Sequence, residues 1–367
     1  MSQPLQTRSL GKCLITGGAG FLGRNIAKAL GREGVQVVIA DRVKPQKLSD
    51  NEEFIELDVT DRDKVLAAFA DKNIDTVFHT AAIIELGGGS AATQAYRQRS
   101  LAVNVQGTQN VIDACQAVGI GNLVYTSSNV VCYDGLPVTG LNSDTPYASR
   151  VYDMYTESKI AAEKRVLAAN GQSGLLSVAI RPSGIYGAES NMMLDKFVAE
   201  LAAGKLVAAI GNPNAVHENS FIDNLVHGHL QAAKHLVDGN RCCGRGYFIS
   251  DNEPQNYFDF FRPLIDGLGY KYPTFWIPMG MLVPIMQLWQ WSHFKFGLPA
   301  PAMLPKEIDK VCVTHISDTW ESKRDLNYEP LVSVSEAMEV CLPYCRRLHD
   351  QLVSQSSKKS GNTEAAA

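Results

Sequence analysis

Short apolar runs and amphipathic stretches alternate through the first half of the chain. The runs fall at Lys12–Thr16, Val35–Ala40, Phe54–Leu57, Asp75–His79, Asn122–Ser127 and Leu176–Arg181. Helical patterns lie between them, over Gly20–Glu33, Asp61–Ala70, Gln94–Val118 and Val151–Ala169. A strand covered on both faces needs apolar side chains at nearly every position, and these runs supply them. The alternation predicts an α/β fold with a doubly wound parallel sheet. Beyond Gly187 the rhythm loosens. Helical patterns recur near Leu194–Ala203, Asp223–Leu236, Gln255–Leu268 and Ser335–Leu348, with short strands at Leu206–Ile210 and Tyr247–Ile249. The expected division is a first domain over residues 1–187 and a smaller C-terminal lobe over 188–353, with some segments of the lobe returning to the sheet. Residues 354–367 are rich in Ser, Lys and Ala and are expected to form a disordered tail.

Composition narrows the classes. Apolar residues make up 45% of the 367 and charged residues 20%, as in an ordinary globular enzyme. Thirty-four basic and 38 acidic residues give a net charge of −4, which argues against a nucleic-acid binder. Eight scattered cysteines without a CxxC pair read as reduced thiols in a cytoplasmic protein, with no structural metal. The first twelve residues hold no apolar core of signal-peptide length. One stretch, Tyr272–Phe294, has no Lys, Arg, Asp or Glu and is long enough to cross a bilayer. Pro273, Pro278 and Pro284 argue against crossing, so it reads as a substrate-site wall, core packing or an interfacial helix in peripheral contact with a membrane.

The first strand runs into Gly17-Gly-Ala-Gly-Phe-Leu-Gly23, which opens the first helix. A turn built this way is tight, lets a pyrophosphate approach the backbone, and offers it the free N–H groups and positive dipole of a helix start. Gly17, Gly20, Phe21, Leu22 and Gly23 are therefore assigned to a dinucleotide in a Rossmann-type domain. Asp41 ends the second strand, eighteen residues after Gly23, where a ribose-binding acid belongs. Its carboxylate would repel a 2′-phosphate, favouring NAD, and the neighbouring Arg42 would soften that preference. Asp58, followed by Val59, is placed to reach the adenine edge or, equally, to cap the helix region at Asp61.

Tyr155-Thr-Glu-Ser-Lys159 puts a phenol and an ammonium on one face of a helix. A phenol with pKa near 10 is a poor base at neutral pH, and a nearby cation stabilises its anion. The tyrosinate can then take a proton from a substrate hydroxyl as hydride leaves the same carbon. Ser127 and Ser128 end the fifth strand, and one of them would hold the substrate oxygen. His227 and His229 lie two apart and cannot share a helix face, which disfavours a metal, and His79 reads as a structural residue.

With these residues the chain resembles the extended branch of the short-chain dehydrogenase/reductase superfamily. The glycine turn, Asp41, Asp58, His79-Thr-Ala-Ala82, Asn104-Val-Gln-Gly-Thr108, Tyr125-Thr-Ser-Ser128, Tyr155/Lys159 and Arg181-Pro-Ser-Gly184 carry the resemblance. It implies Tyr155 as base, Lys159 as its helper and Ser128 as catalytic serine, with Ser127 as the fallback. It also implies that Ala81 and Ala82 flank the cofactor, that Pro182 and Ile185 line the nicotinamide, and that Asn104 lies near the active site. His79–Leu86, Tyr96–Ser100, Ala179–Gly184, Asn224–His229 and Phe294–Pro301 narrow the resemblance to bacterial 3β-hydroxysteroid dehydrogenases of the cholesterol-dehydrogenase type. That family implies NAD-dependent oxidation of a 3β-hydroxyl, often coupled to Δ5→Δ4 isomerisation. The uncharged segment with Trp276, Met279, Met281, Met286, Trp289 and Trp291 could supply the wall a flat apolar ligand needs. The rivals are a decarboxylating sterol-4α-carboxylate 3-dehydrogenase, a nucleotide-sugar epimerase or dehydratase, and a non-enzymatic dinucleotide sensor. A nucleotide sugar would want cations for its second pyrophosphate, and Arg241 and Arg245 are the candidates. Long helices pairing across a two-fold would make a homodimer.

Overall fold

The computed structural model describes residues 5–70, 72–84, 93–151, 153–190, 193–298 and 312–364. Glu85 and Leu86, and Pro299 to Pro301, from two of the family-bearing stretches, lie outside them.

Seven strands form one parallel sheet. In chain order they are β1 (Cys13–Thr16), β2 (Val37–Asp41), β3 (Glu52–Glu56), β4 (Thr76–His79), β5 (Asn122–Thr126), β7 (Leu176–Pro182) and β11 (Gly246–Ile249). Their order across the sheet is β11-β7-β5-β4-β1-β2-β3, so the winding reverses between β1 and β4. Chain crossovers leave in opposite directions there, and the crevice outside the carboxyl ends at such a point is where ligands bind in this architecture. Register aligns Thr16 with His79, and His79 with Tyr125, so the turns after β1, β4 and β5 emerge side by side.

Alternation along each strand builds a core on each face. Leu14, Val38, Val77 and Leu123 face α2 (Arg62–Ala70), α4 (Thr108–Val118) and α5 (Met154–Ala168). Ile15, Ile39, Phe78 and Val124 face α1 (Phe21–Arg32) and α7 (Ile222–His235). The same cluster takes in α6 (Met193–Ala202), α8 (Tyr257–Gly267) and the start of α11 (Val334–Glu364). After Gly187, β11 joins the sheet and α7 packs on it. Smaller two-stranded pairings stand apart from the sheet: β8 (Gly184–Tyr186) with β10 (Asn219–Phe221), β9 (Ala209–Ile210) with β12 (Trp276–Ile277), and β6 (Val138–Leu141) with β13 (His315–Ser317). A short helix, α10 (Trp320–Leu326), precedes α11.

Three expectations need correction. The helix over Gln94–Val118 is three pieces: α3 (Gln94–Ser100), a π-helical stretch over Leu101–Gly107, and α4. The strand over Leu206–Ile210 shrinks to Ala209–Ile210. Residues 354–364, expected to lack structure, continue α11. That helix is anchored at its start by buried Val334, Ala337, Met338, Cys341 and Cys345, and propagation then adds one bond per residue until its end.

The uncharged segment forms α9 (Met279–Phe296). Met286 is buried, whereas Met281, Ile285, Leu288, Trp289, Trp291 and Phe296 are exposed, so this helix is not core packing on that face. Among the described residues no helix is long and apolar enough to cross a membrane.

Candidate active site

The turn after β1 has no room for a Cβ at Gly17, Gly18 or Gly23. Gly17 has φ of +69°, and a Cβ there would stand 2.8 Å from the backbone of Ala81. A Cβ at Gly23 would come 2.4 Å from the Gly17 carbonyl oxygen. Gly20 caps α1 with no side-chain hydrogen bond, and the first turn of the helix carries no acid. No acid of the helix's own first turn neutralises its positive end. Phe21 and Leu22 are half-buried against the same core as Ile185. Asp41 accepts hydrogen bonds from the backbone N–H of Ala19 at 3.0 Å and of Val43 at 3.2 Å, which ties the second strand to the glycine turn. Arg42 beside it is exposed. A bare, uncapped cradle with a carboxylate at its rim fits a dinucleotide's pyrophosphate and ribose.

Asp58 sits after β3 and accepts from the Thr60 N–H at 2.9 Å and its hydroxyl at 2.8 Å. Asp61, not Asp58, caps α2, through the Lys64 N–H at 3.2 Å. The capping alternative for Asp58 therefore fails. Val59 is buried against Gly107, where an added Cβ would meet it at 2.7 Å. Ala81 packs on the glycine turn and Ala82 is exposed beside it.

Asn104, expected near the active site, is engaged by the protein itself. Its Oδ1 accepts from the Ile83 N–H at 2.8 Å, and its Nδ2 donates to the Ile83 carbonyl at 3.0 Å and the Ser158 hydroxyl at 2.9 Å. The amide is thus spent on the protein. It ties the loop after β4 to α5, and Ser158 in turn donates to the Tyr155 carbonyl at 2.8 Å.

α5 starts at Asp153, whose carboxylate accepts from the Thr156 N–H at 2.8 Å. Tyr155 in its first turn is half-buried, and the Ser128 hydroxyl reaches its phenol from the end of β5. Burial pushes that phenol up; the Ser128 bond pulls it down, and Asp153 and Tyr96 push it up further. Ser128 also heads the 3₁₀ turn Asn129–Cys132, while the Ser127 hydroxyl is buried without a hydrogen-bond partner. Of the two serines, Ser128 is therefore the one brought to Tyr155.

Lys159 lies one turn further on and is almost fully buried. Its Nζ donates to the Thr126 carbonyl at 2.7 Å and to the Tyr125 hydroxyl at 3.1 Å. Burial holds the ammonium down at about 7, and Glu163, a further turn along, works against that. Glu163 is itself buried and is gripped by Arg181 at 2.7 and 3.1 Å and by the Tyr147 hydroxyl at 3.0 Å. Pro182 ends β7 beside this pair, buried, and Ile185 follows half-buried in β8.

A family model for the 3-beta hydroxysteroid dehydrogenase/isomerase family matches residues 14–279. The chain belongs to that family. It is 40% identical over 360 residues to a 3-beta-hydroxysteroid dehydrogenase of Mycolicibacterium neoaurum, covering 98% of each chain. It is 42% identical over 352 residues to a 3 beta-hydroxysteroid dehydrogenase/Delta 5→4-isomerase of Mycobacterium tuberculosis, covering 95% of this chain and 94% of that one. Among solved structures, a UDP-glucuronic acid 4-epimerase from Bacillus cereus in complex with NAD superposes with a TM-score of 0.68 at 20% identity. It covers 92% of this chain and 99% of that one, and carries the fold alone.

In this member of the 3-beta-hydroxysteroid dehydrogenase/isomerase family, His79 is structural. Thr16 donates to its Nδ1 at 2.6 Å and its Nε2 meets Thr108 at 2.9 Å, a neutral tautomer assigned from the network. His229 likewise spends its nitrogens on Thr126 and the Leu225 carbonyl. Sequence reasoning missed Tyr125 and Thr126 as the partners of Lys159, and Glu163 with Arg181 behind it. Spacing of four from Lys159 could have flagged Glu163, but nothing in the sequence pairs it with Arg181 across the fold.

Proposed function

We propose that the protein oxidises the 3β-hydroxyl of a steroid or sterol to the ketone with NAD as acceptor, with Δ5→Δ4 isomerisation of that product as a following step. Ser128 meeting Tyr155 at the carboxyl edge of β5, with Lys159 one turn on, carries this reading. The relatives' names supply the substrate class.

The glycine turn would hold the dinucleotide, with Asp41 at its adenosine ribose; NAD, when bound, supplies the two-electron acceptor. Ser128 and Tyr155 hold the substrate oxygen between them. Tyr155 takes the hydroxyl proton, and the Lys159 ammonium stabilises the resulting charge on the phenolate. Pro182 and Ile185 would wall the reacting face from water. A nucleotide-sugar substrate is less supported, because Arg245 is engaged by Asp144 at 2.8 Å and Glu321 at 3.3 Å.

The exposed face of α9 supports peripheral contact with a lipid surface. Trp289, Trp291 and Phe296 crowd its C-terminal half beside the Lys295 ammonium, the composition of an interfacial helix. Contact of this kind would bring the enzyme to a substrate dissolved in lipid. Co-sedimentation with anionic phosphatidylcholine/phosphatidylglycerol vesicles should fall on Trp291→Ser and Leu288→Ser; equal sedimentation of the variants would refute it.

The function is tested by following NADH and conjugated-enone absorbance together over a panel of 3β-hydroxysteroids. NADH with enone supports both steps. NADH alone removes the isomerisation. Neither signal, from protein shown to bind NAD, removes the free-steroid substrate.

A further inference from the structure

Lysine ammonium groups have three donors on a flexible stem, and a catalytic one must be held still to be useful. Lys159 is 2% exposed, so its donors must find partners inside the protein or in a bound ligand. Two are taken by groups of one strand, the Thr126 carbonyl at 2.7 Å and the Tyr125 hydroxyl oxygen at 3.1 Å. The ammonium also stands 4.7 Å from the centre of the Tyr125 ring. Tyr125 is 1% exposed, its ring packs on His79 at 5.6 Å between centroids, and burial keeps it a neutral phenol. It is rigid where the lysine stem is not.

We propose that Tyr125 is a positioning residue for Lys159: with the Thr126 carbonyl it occupies two of the three ammonium donors and leaves the third for the cleft. The inference deepens the proposed function and rests on Lys159 being the helper of Tyr155. Around the ammonium stand Glu163 on the same helix, His79 from β4, and Arg181 from β7 behind Glu163. His79 is held neutral, and Arg181 compensates Glu163. The Tyr125 oxygen is therefore a direct dipolar contact favouring the charged lysine, alongside a carbonyl that no side-chain substitution removes.

Tyr125→Phe keeps the ring and deletes only the oxygen. In full-length protein labelled with ¹³Cε-lysine, the resonance lost in Lys159→Arg is that of Lys159. Its titration midpoint should fall by about one pH unit in Tyr125→Phe, since a bond to a charged group favours the charged form. Tyr328→Phe, which deletes a buried phenol bonded to the Ser250 carbonyl at 2.8 Å, should leave it in place. In turnover, Tyr125→Phe should lose about tenfold in kcat with an unchanged KM for the steroid. An unmoved Lys159 midpoint in Tyr125→Phe, or an unchanged kcat in a protein whose wild type turns over, would overturn the inference. The resonance is read without substrate. A wild type inactive on every hydroxysteroid would therefore fell the functional reading while the Lys159 midpoint still judges the clamp.

Discussion

Tyr155 and Asp41 separate chemistry from binding at the level of single atoms. In the proposed reaction the phenol oxygen exchanges a proton with the substrate hydroxyl, and Ser128 acts on that phenol from the end of β5. Tyr155→Phe should lower turnover by about 10²–10⁴-fold, the range of a lost general base, and leave NAD affinity within twofold. Steady-state rates with equilibrium fluorescence of bound cofactor check both halves. Asp41 accepts from the Ala19 N–H at 3.0 Å and, in the proposed reading, also sets the charge at the ribose. Asp41→Asn keeps an acceptor and removes the charge, so activity with NADP should rise relative to NAD while the melting temperature stays put. A variant that loses activity with both cofactors would mean that the charge holds the turn rather than selecting the ribose. Asp41 was singled out because a strand-end acid at that spacing has one common use in this fold. Tyr125 was not, because the bond that matters crosses from a strand to a helix 34 residues away in the chain.

Elements that obey a simple period were the legible ones. The six inner and better-covered sheet strands were signalled by their apolar runs, since burial on both faces leaves little choice of side chain, whereas edge strand β3, with three glutamates and no buried residue, showed only the Phe54–Leu57 part. The π-helical stretch Leu101–Gly107 was invisible, because widening a helix by one residue per turn barely alters an apolar pattern that runs on through it. Its consequence is local and chemical: it carries Asn104, which pairs with both backbone groups of Ile83 and with Ser158. Asn104→Ala would strand the part-buried Ile83 N–H and carbonyl. The expected loss is about 2–3 kcal/mol of stability, read from urea unfolding, because each unsatisfied group costs about 1–3 kcal/mol. Activity should fall with it, since the same amide ties the β4 loop to the helix of Tyr155. In the glycine turn, Gly23→Ala puts a methyl 2.4 Å from a carbonyl oxygen that cannot swing away. Calorimetric titration should show NAD binding abolished, and retained micromolar binding would mean the turn can reopen.

Acid sensitivity belongs to the molecule as a whole, because it sums groups scattered through both cores. Burial holds His79 and His217 at about 3 and His229 at about 4, all far below an ordinary imidazole. In the unfolded chain each takes a proton near pH 6.5, so between that value and about 4 the unfolded state binds more protons and stability falls as pH falls. Asp251 acts in the opposite sense. Burial raises it to about 6, so the folded state holds a proton the unfolded state releases, and folding gains as pH drops through that value. His227 is held down in the same sense as the three histidines and burial raises Glu218 in the sense of Asp251, so histidines outnumber carboxyls and unfolding near pH 5 takes up protons on balance. Lys159 adds a smaller trend on the alkaline side. Its folded value near 7 lies below the unfolded one, so its burial penalty is full below 7 and relaxes as pH rises toward 10. Thermal unfolding scanned from pH 8 to 4.5 should therefore show a shallow slope above pH 7, stability still rising with pH, and a steep decline below 6.5. Calorimetry in buffers of different ionisation heat should count the protons taken up. A melting temperature flat between pH 7 and 5 would mean that the three histidines are charged in the fold, and that the Thr16–His79–Thr108 and Thr126–His229 hydrogen bonds do not hold them in the neutral form.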